Sequence, residues 1–145
     1  MAAFPPEGAP VEVVSDLARE VHEDAGAMEK TLKGQPWTAI PENILAERAK
    51  DIVALTVPAF VFYIPAFMCA AVKNPESESA TYAMYALCPL GNYDSFYNNT
   101  CVLFSQDQAG LVAEFLEFLE DEPSFSLFSE EMKPGFELWK RRAKA

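Results

Sequence analysis

One histidine, His22, is all the imidazole that this chain of 145 residues possesses, so any Ser/His/Asp or Cys/His mechanism has to run through it. It stands between Val21 and Glu23 on an amphipathic stretch, where a solvated or interfacial role is expected. Other reactive sets are equally thin. No C-x-x-C, H-E-x-x-H, Walker-type glycine loop or G-x-S-x-G elbow occurs. Cys69, Cys88 and Cys101 are odd in number and widely spaced, which suits reduced thiols packed as small hydrophobes better than a disulfide framework. Carboxylate pairs such as Glu76 with Glu78 recur too readily by chance to indicate a glycosidase. No catalytic residue, metal ligand set or cofactor is expected, and the reading leans away from an enzyme.

Positive charge is also scarce: 11 Lys and Arg face 22 Asp and Glu, for a net charge of −11. Lys140, Arg141, Arg142 and Lys144 are four of those 11, so residues 1–139 carry −15. Such a field repels nucleic acid and anionic membrane surfaces and steers a basic protein inward. The opening MAAFPPEGAP has neither a basic n-region nor an apolar h-region, so the expected location is cytoplasmic. The formal glycosylation triplet at Asn98, Asn99 and Thr100 then has no occasion to be used.

What the chain has in quantity is apolar surface, 50% of residues, with 12% aromatic, enough for one ordinary domain with one core. Residues 1–10, with Pro5, Pro6 and Pro10, read as an irregular lead-in, and 11–145 as a single globular helical domain. From Ile52 to Val72 no formal charge interrupts the chain. A stretch of roughly 20 apolar residues can cross a bilayer, but Thr56, Pro58, Tyr63 and Pro65 and the near-neutral flanks favour a buried central helix instead. Thr56 is its expected N-cap, and Pro65 is expected to kink or divide it, leaving the Val61 carbonyl without its helical donor.

Around this centre, the spacing of Val13, Leu17 and Val21 predicts a helix from Val11, with Ala25, Met28 and Leu32 continuing the stripe past Gly26. Lys33 to Trp37 reads as a linker, with Trp37 closing one end of the core. Pro41 opens a helix through Ile44, Leu45, Ala49, Ile52 and Val53. Glu76 to Leu87 reads as a further helix with Tyr82, Tyr85 and Ala86 inward. Pro89, Gly91, Asn92 and Asp94 form a loop, and Phe96 to Phe104 reads as extended chain, either strand or loop. Ser105 and Gln108 fit a capping box that starts a helix with Leu111, Val112, Phe115, Leu116, Phe118 and Leu119 on its apolar face. Phe125, Leu127 and Phe128 tuck back as a loop, and a last helix begins near Pro134 with Phe136 and Trp139 inward. The fold class is therefore mainly α: a single-domain helical bundle around a kinked apolar helix.

Three blocks together resemble a family of small bacterial proteins defined as a domain of unknown function. They are Leu55 and Thr56 with A-F-V-F-Y-I-P-A-F-M at 59–68, then F-S-Q-D-Q at 104–108 with Phe115 and Leu116, and the late Trp139, preceded by Trp37. In that family proline directly follows the threonine, whereas Val57 intervenes here. The resemblance spans roughly Trp37 to Trp139 and implies a mostly helical domain. It transfers no catalytic residue.

Two functions follow as expectations. The first is a protein-binding module that restrains a basic partner, resembling in size and charge the immunity and antitoxin-like proteins of bacterial toxin systems, with Glu114, Glu117, Glu120 and Asp121 as its contact face. The second is a small-ligand or enzymatic module whose pocket lies at the Pro65 kink, walled by Trp37, Tyr63 and Tyr85.

Overall fold

The central run folds as one 17-residue helix, Val57–Lys73, whose Thr56 hydroxyl accepts from the Ala59 N–H at 3.2 Å. In the computed structural model of the chain, residues 3–89, 91 and 93–144 are described, the side chains of 126–129 excepted. Among these residues there are eight α-helices and no strand. In chain order they are α1 (Asp16–Val21), α2 (Ala25–Leu32), α3 (Glu42–Arg48), α4 (Val57–Lys73), α5 (Glu78–Leu87), α6 (Tyr93–Asn99), α7 (Gln106–Glu120) and α8 (Ser129–Lys144). Four 3-10 stretches, Trp37–Ala39, Ala49–Ala54, Cys101–Leu103 and Pro123–Phe128, join them. The protein is a mainly α bundle with α4 at its centre.

Ten of the 17 residues of α4 are buried, from Ala59 to Ala71. Pro65 does not divide the helix, although its missing N–H leaves the Val61 carbonyl without the usual i−4 donor. No helix among the described residues is long and apolar enough to cross a membrane. The core packs α5 and α3 on one flank of α4, while α7 and α8 form the most extensive helix pair in the molecule. Trp139 of α8 is fully buried, donates from Nε1 to the Leu87 carbonyl at 2.8 Å, and meets the ring of Phe104 edge-on at 4.8 Å. Gly135 allows this approach: a Cβ there would lie 2.6 Å from Cys88 Sγ and 2.9 Å from Cys88 Cα.

Several sequence expectations meet their correction here. No helix starts at Val11. Val13 and Val14 are buried in extended backbone, where the Val13 carbonyl accepts from the Thr56 N–H at 2.9 Å and Val14 bridges to Leu55. The helix begins only after Ser15, whose hydroxyl accepts from the Ala18 N–H, and the residues that completed the apparent stripe, Leu17 and Val21, are 67% and 66% exposed. Two valines paired with another segment thus mimicked a helical period. α2 carries Ala25, Met28 and Leu32 inward as expected.

The stretch from Ile44 to Val53 is α3 followed by a 3-10 turn, and the tighter period turns Val53 outward. Phe96 to Phe104 is not extended: it holds most of α6 and the Cys101–Leu103 turn. A helix this short and this rich in Asn has little intrinsic stability and is held by packing, Phe96 lying edge-on to Trp139 at 6.1 Å. α8 begins at Ser129, five residues before Pro134, which therefore lies inside the helix and leaves the Glu130 carbonyl without its usual i−4 donor, as Pro65 does in α4. In α5 the inward residues are Ser79, Ala80, Ala83, Met84 and Leu87, while Tyr85 is 43% exposed. Phe4, in the lead-in, belongs to the core at 2% exposure. Phe125 is buried. The expectations for Asn92 and for the side chains of Leu127 and Phe128 lie outside the described residues.

Candidate functional site

α7 takes its position from local chemistry. Ser105 accepts from the Gln108 N–H at 3.1 Å, Gln108 Oε1 accepts from the Ser105 N–H at 2.9 Å, and the Gln108 amide donates to the Ala3 carbonyl at 2.9 Å. At about 100° per residue, its apolar residues cover a wide arc. Val112, Leu116 and Leu119 share one part of that arc and are buried, with α8 as the principal neighbour. Leu111, Phe115 and Phe118 occupy the other part, beside α4, which α7 meets over only a short stretch.

The result is an open apolar hollow of ≈ 430 Å³ between the two helices. Met68, Cys69 and Val72 of α4 form one wall, and Leu111, Phe115 and Phe118 of α7 the other. Val72 is 50% exposed. Glu114 and Lys73 stand at the rim. The Lys73 ammonium is 2.8 Å from the Glu42 carboxylate, which holds its pKa above the ordinary lysine value, so this cation already has an acidic partner. Glu114 has no ion pair among the described residues. Burial pushes the Cys69 thiol above its ordinary pKa, so at neutral pH it is a small apolar lining group rather than a nucleophile.

The acidic candidates fall into two sets. Glu114, Glu117 and Asp121 recur at i, i+3 and i+7 and lie within about 60° of arc, flanking the groove along its α7 edge. Glu114, Glu117 and Asp121 are exposed, whereas Glu120 is half-buried and turns away from that row. From Gln106 to Glu122 the chain has six acidic residues and no Lys or Arg. Three of them, Glu120, Asp121 and Glu122, crowd the negative end of the helix dipole, and Glu117 repels Asp121 at i+4. Each such contact costs a few tenths of a kcal/mol, roughly 0.2–1.

The aromatic candidates do not converge. The Tyr63 ring is fully buried, and its single hydroxyl hydrogen is shared between the carbonyls of Leu32 at 2.5 Å and Gln35 at 2.9 Å. Trp37 is buried and donates from Nε1 to the Phe4 carbonyl at 3.0 Å. Trp37 borders a small hollow with Ala66 and Lys73, Tyr85 a separate one with Val53 and Phe96, and neither Tyr63 nor Pro65 lines either of them. Pro65 is buried on the same side of α4 as Met68, Cys69 and Val72, one turn before the groove.

A family model, described as a family of unknown function (DUF6714), matches residues 16–143. The chain belongs to DUF6714. The DUF6714 match takes in the groove, its acidic edge and all eight candidate residues. No curated protein and no solved structure matches the chain.

A second polar cluster lies elsewhere in this DUF6714 chain. Lys50 pairs with Asp24 at 3.3 Å and Arg48 with Asp51 at 3.4 Å, tying the α1–α2 junction and α3 to the 49–54 turn. Burial raises the Asp51 pKa, Asp24 raises it further, and Arg48, Lys50 and His22 pull it back. Both carboxylates have an ionic partner, the arrangement of a structural seam. Among the described residues no group of His, Cys, Asp and Glu is placed to hold a metal ion. The groove residues Met68, Cys69, Val72, Leu111 and Phe118 were missed by reading charge and aromatics. The signal was the apolar arc of α7, wider than one partner helix can cover.

Proposed function

We propose that this protein is a cytoplasmic binding module for a basic protein, and that the exposed edge of α7 is its contact face. One observation carries the reading: Glu114 stands at the rim of an open apolar groove, Glu117 and Asp121 follow it on the same arc of α7, and none of the three has an ion pair among the described residues of a chain of net charge −11. Solubility alone is a poor account of that row. Basic side chains at 117 and 121 would also be charged and exposed and would favour the helix dipole that Glu117 and Asp121 oppose. A cationic partner relieves the repulsion on binding and is drawn in by the long-range field. The alternative of a pocket walled by Trp37, Tyr63, Pro65 and Tyr85 has less support, since Trp37 and Tyr85 line separate hollows and the Tyr63 hydroxyl is taken by main-chain carbonyls.

The test is capture on the tagged protein from lysate of its own host, beside the triple variant Glu114→Lys, Glu117→Lys, Asp121→Lys. The variant is expected to stay folded, because all three side chains are exposed and reversal at 117 and 121 suits the dipole. The reading expects a basic protein retained at low salt, released at high salt and absent from the variant. Identical captures from the two proteins would refute it.

A further inference from the structure

We infer that the groove between α4 and α7 receives one amphipathic, cationic helix of the partner, apolar side chains inward and Lys or Arg toward Glu114, Glu117 and Asp121. This inference rests on the reading above and adds the shape of the partner. From Leu111 to Phe118 the α7 wall rises about 10 Å, the length over which a docked helix places apolar residues at i, i+3 or i+4, and i+7. The floor offers nothing polar to a strand, whose main-chain groups seek partners, whereas a helix satisfies its own. Charge sets the orientation. Among the described residues the acids of the α7 edge have no basic partner, and the opposite rim carries Lys73, which is held by Glu42. A helix with one basic flank thus fits one way round. An anionic lipid surface is repelled by the same edge.

The probe is a fluorescein-labelled Leu/Lys peptide of about four helical turns with leucines on one face. Two controls accompany it: a shuffled peptide of equal composition without the helical period, and a counterpart with Glu for Lys. Anisotropy gives affinity, and [13C]methyl NMR of Met68, which lines the groove, gives location, with the core residues Met28, Met84 and Met132 as internal references. Val72→Asp separates the two forces. It adds a negative charge, so pure attraction predicts tighter binding of the cationic peptide. Loss of the apolar contact predicts binding weaker by about tenfold.

Binding of the helical peptide with a Met68 shift, weakened in Val72→Asp, supports the inference. Equal binding of the shuffled peptide, or tighter binding to Val72→Asp, overturns the groove while leaving the acidic-face reading intact. Equal binding of the acidic peptide removes that reading as well. A Met68 shift that appears on concentrating the protein alone identifies a second copy as the occupant and overturns the inference, as does failure of all three peptides to bind.

Discussion

The two sides of α4 use the same kind of sequence to opposite ends. Around Tyr63, the side toward α2 and the Trp37 turn holds its aromatics in the core: a phenol and an indole are buried, each polar tip is bonded to main-chain carbonyl oxygen, and only a small hollow beside Trp37 reaches Cys69. Around Met68, Cys69 and Val72, the side toward α7 is open, lined by flexible aliphatic, sulfur-bearing and phenyl groups. Aromatic residues with polar tips look like pocket walls, yet here they are plugs that fix loops to the core. The recess forms where α4 and α7 meet over only a short stretch. A buried Trp or Tyr whose single donor is already satisfied has little left to offer a ligand.

The strongest way to break this comparison is Trp37→Ala. It removes a buried indole and leaves the Phe4 carbonyl unpaired, and should cost about 3–5 kcal/mol. Urea unfolding measures it, and a loss under about 1 kcal/mol would mean that this side is not a closed plug. Tyr63→Phe keeps the ring and deletes the hydroxyl, so the expected loss is smaller, about 1–3 kcal/mol. Affinity for the helical peptide should be unchanged in Tyr63→Phe, since no groove residue moves. A change there would show that the two sides are coupled.

The open side should give a different result. Val72→Asp acts on a half-exposed rim residue in the last turn of α4, where an acid opposes the helix dipole, and its effect on stability is expected at about 1 kcal/mol, while it changes peptide binding. A stability loss comparable to that of Trp37→Ala would mean that Val72 is core, and the distinction between the sides would go.

What could be read in advance follows the same division between local and distant causes. The Ser105 box and the Thr56 cap are complete within four residues and were legible. The α1 stripe was not, because Val13 and Val14 answer to Thr56 and Leu55, some forty residues away. In α5 the tyrosines attracted the assignment, yet Ala80 and Ala83 face inward: small residues carry little hydrophobic signal but let helices come close. The acids of α7 were legible as charge. The groove beside them was not, because it depends on how α4 and α7 meet, which no single segment encodes.

The smallest expected effect is also the most local. Cys69 lines the open side, while Cys88 and Cys101 are buried with thiols pushed up to about 12, chiefly by burial. With iodoacetamide at about pH 8, native protein should be alkylated at Cys69 alone, and slowly, because burial raises that pKa too. The rate should climb with pH as the Cys69 thiolate fraction grows, and peptide mapping by mass spectrometry follows each site separately. Cys88 and Cys101 should react only with the denatured chain, since attack requires both access and thiolate, and the native structure withholds both. Labelling of Cys88 or Cys101 as fast as Cys69 would mean that the packed interior opens as readily as the groove. Saturating helical peptide should then slow Cys69 alkylation, in part, without altering the other two, because an occupant of the groove covers the groove-facing side of Cys69, leaves the hollow beside Trp37 open, and touches neither other thiol.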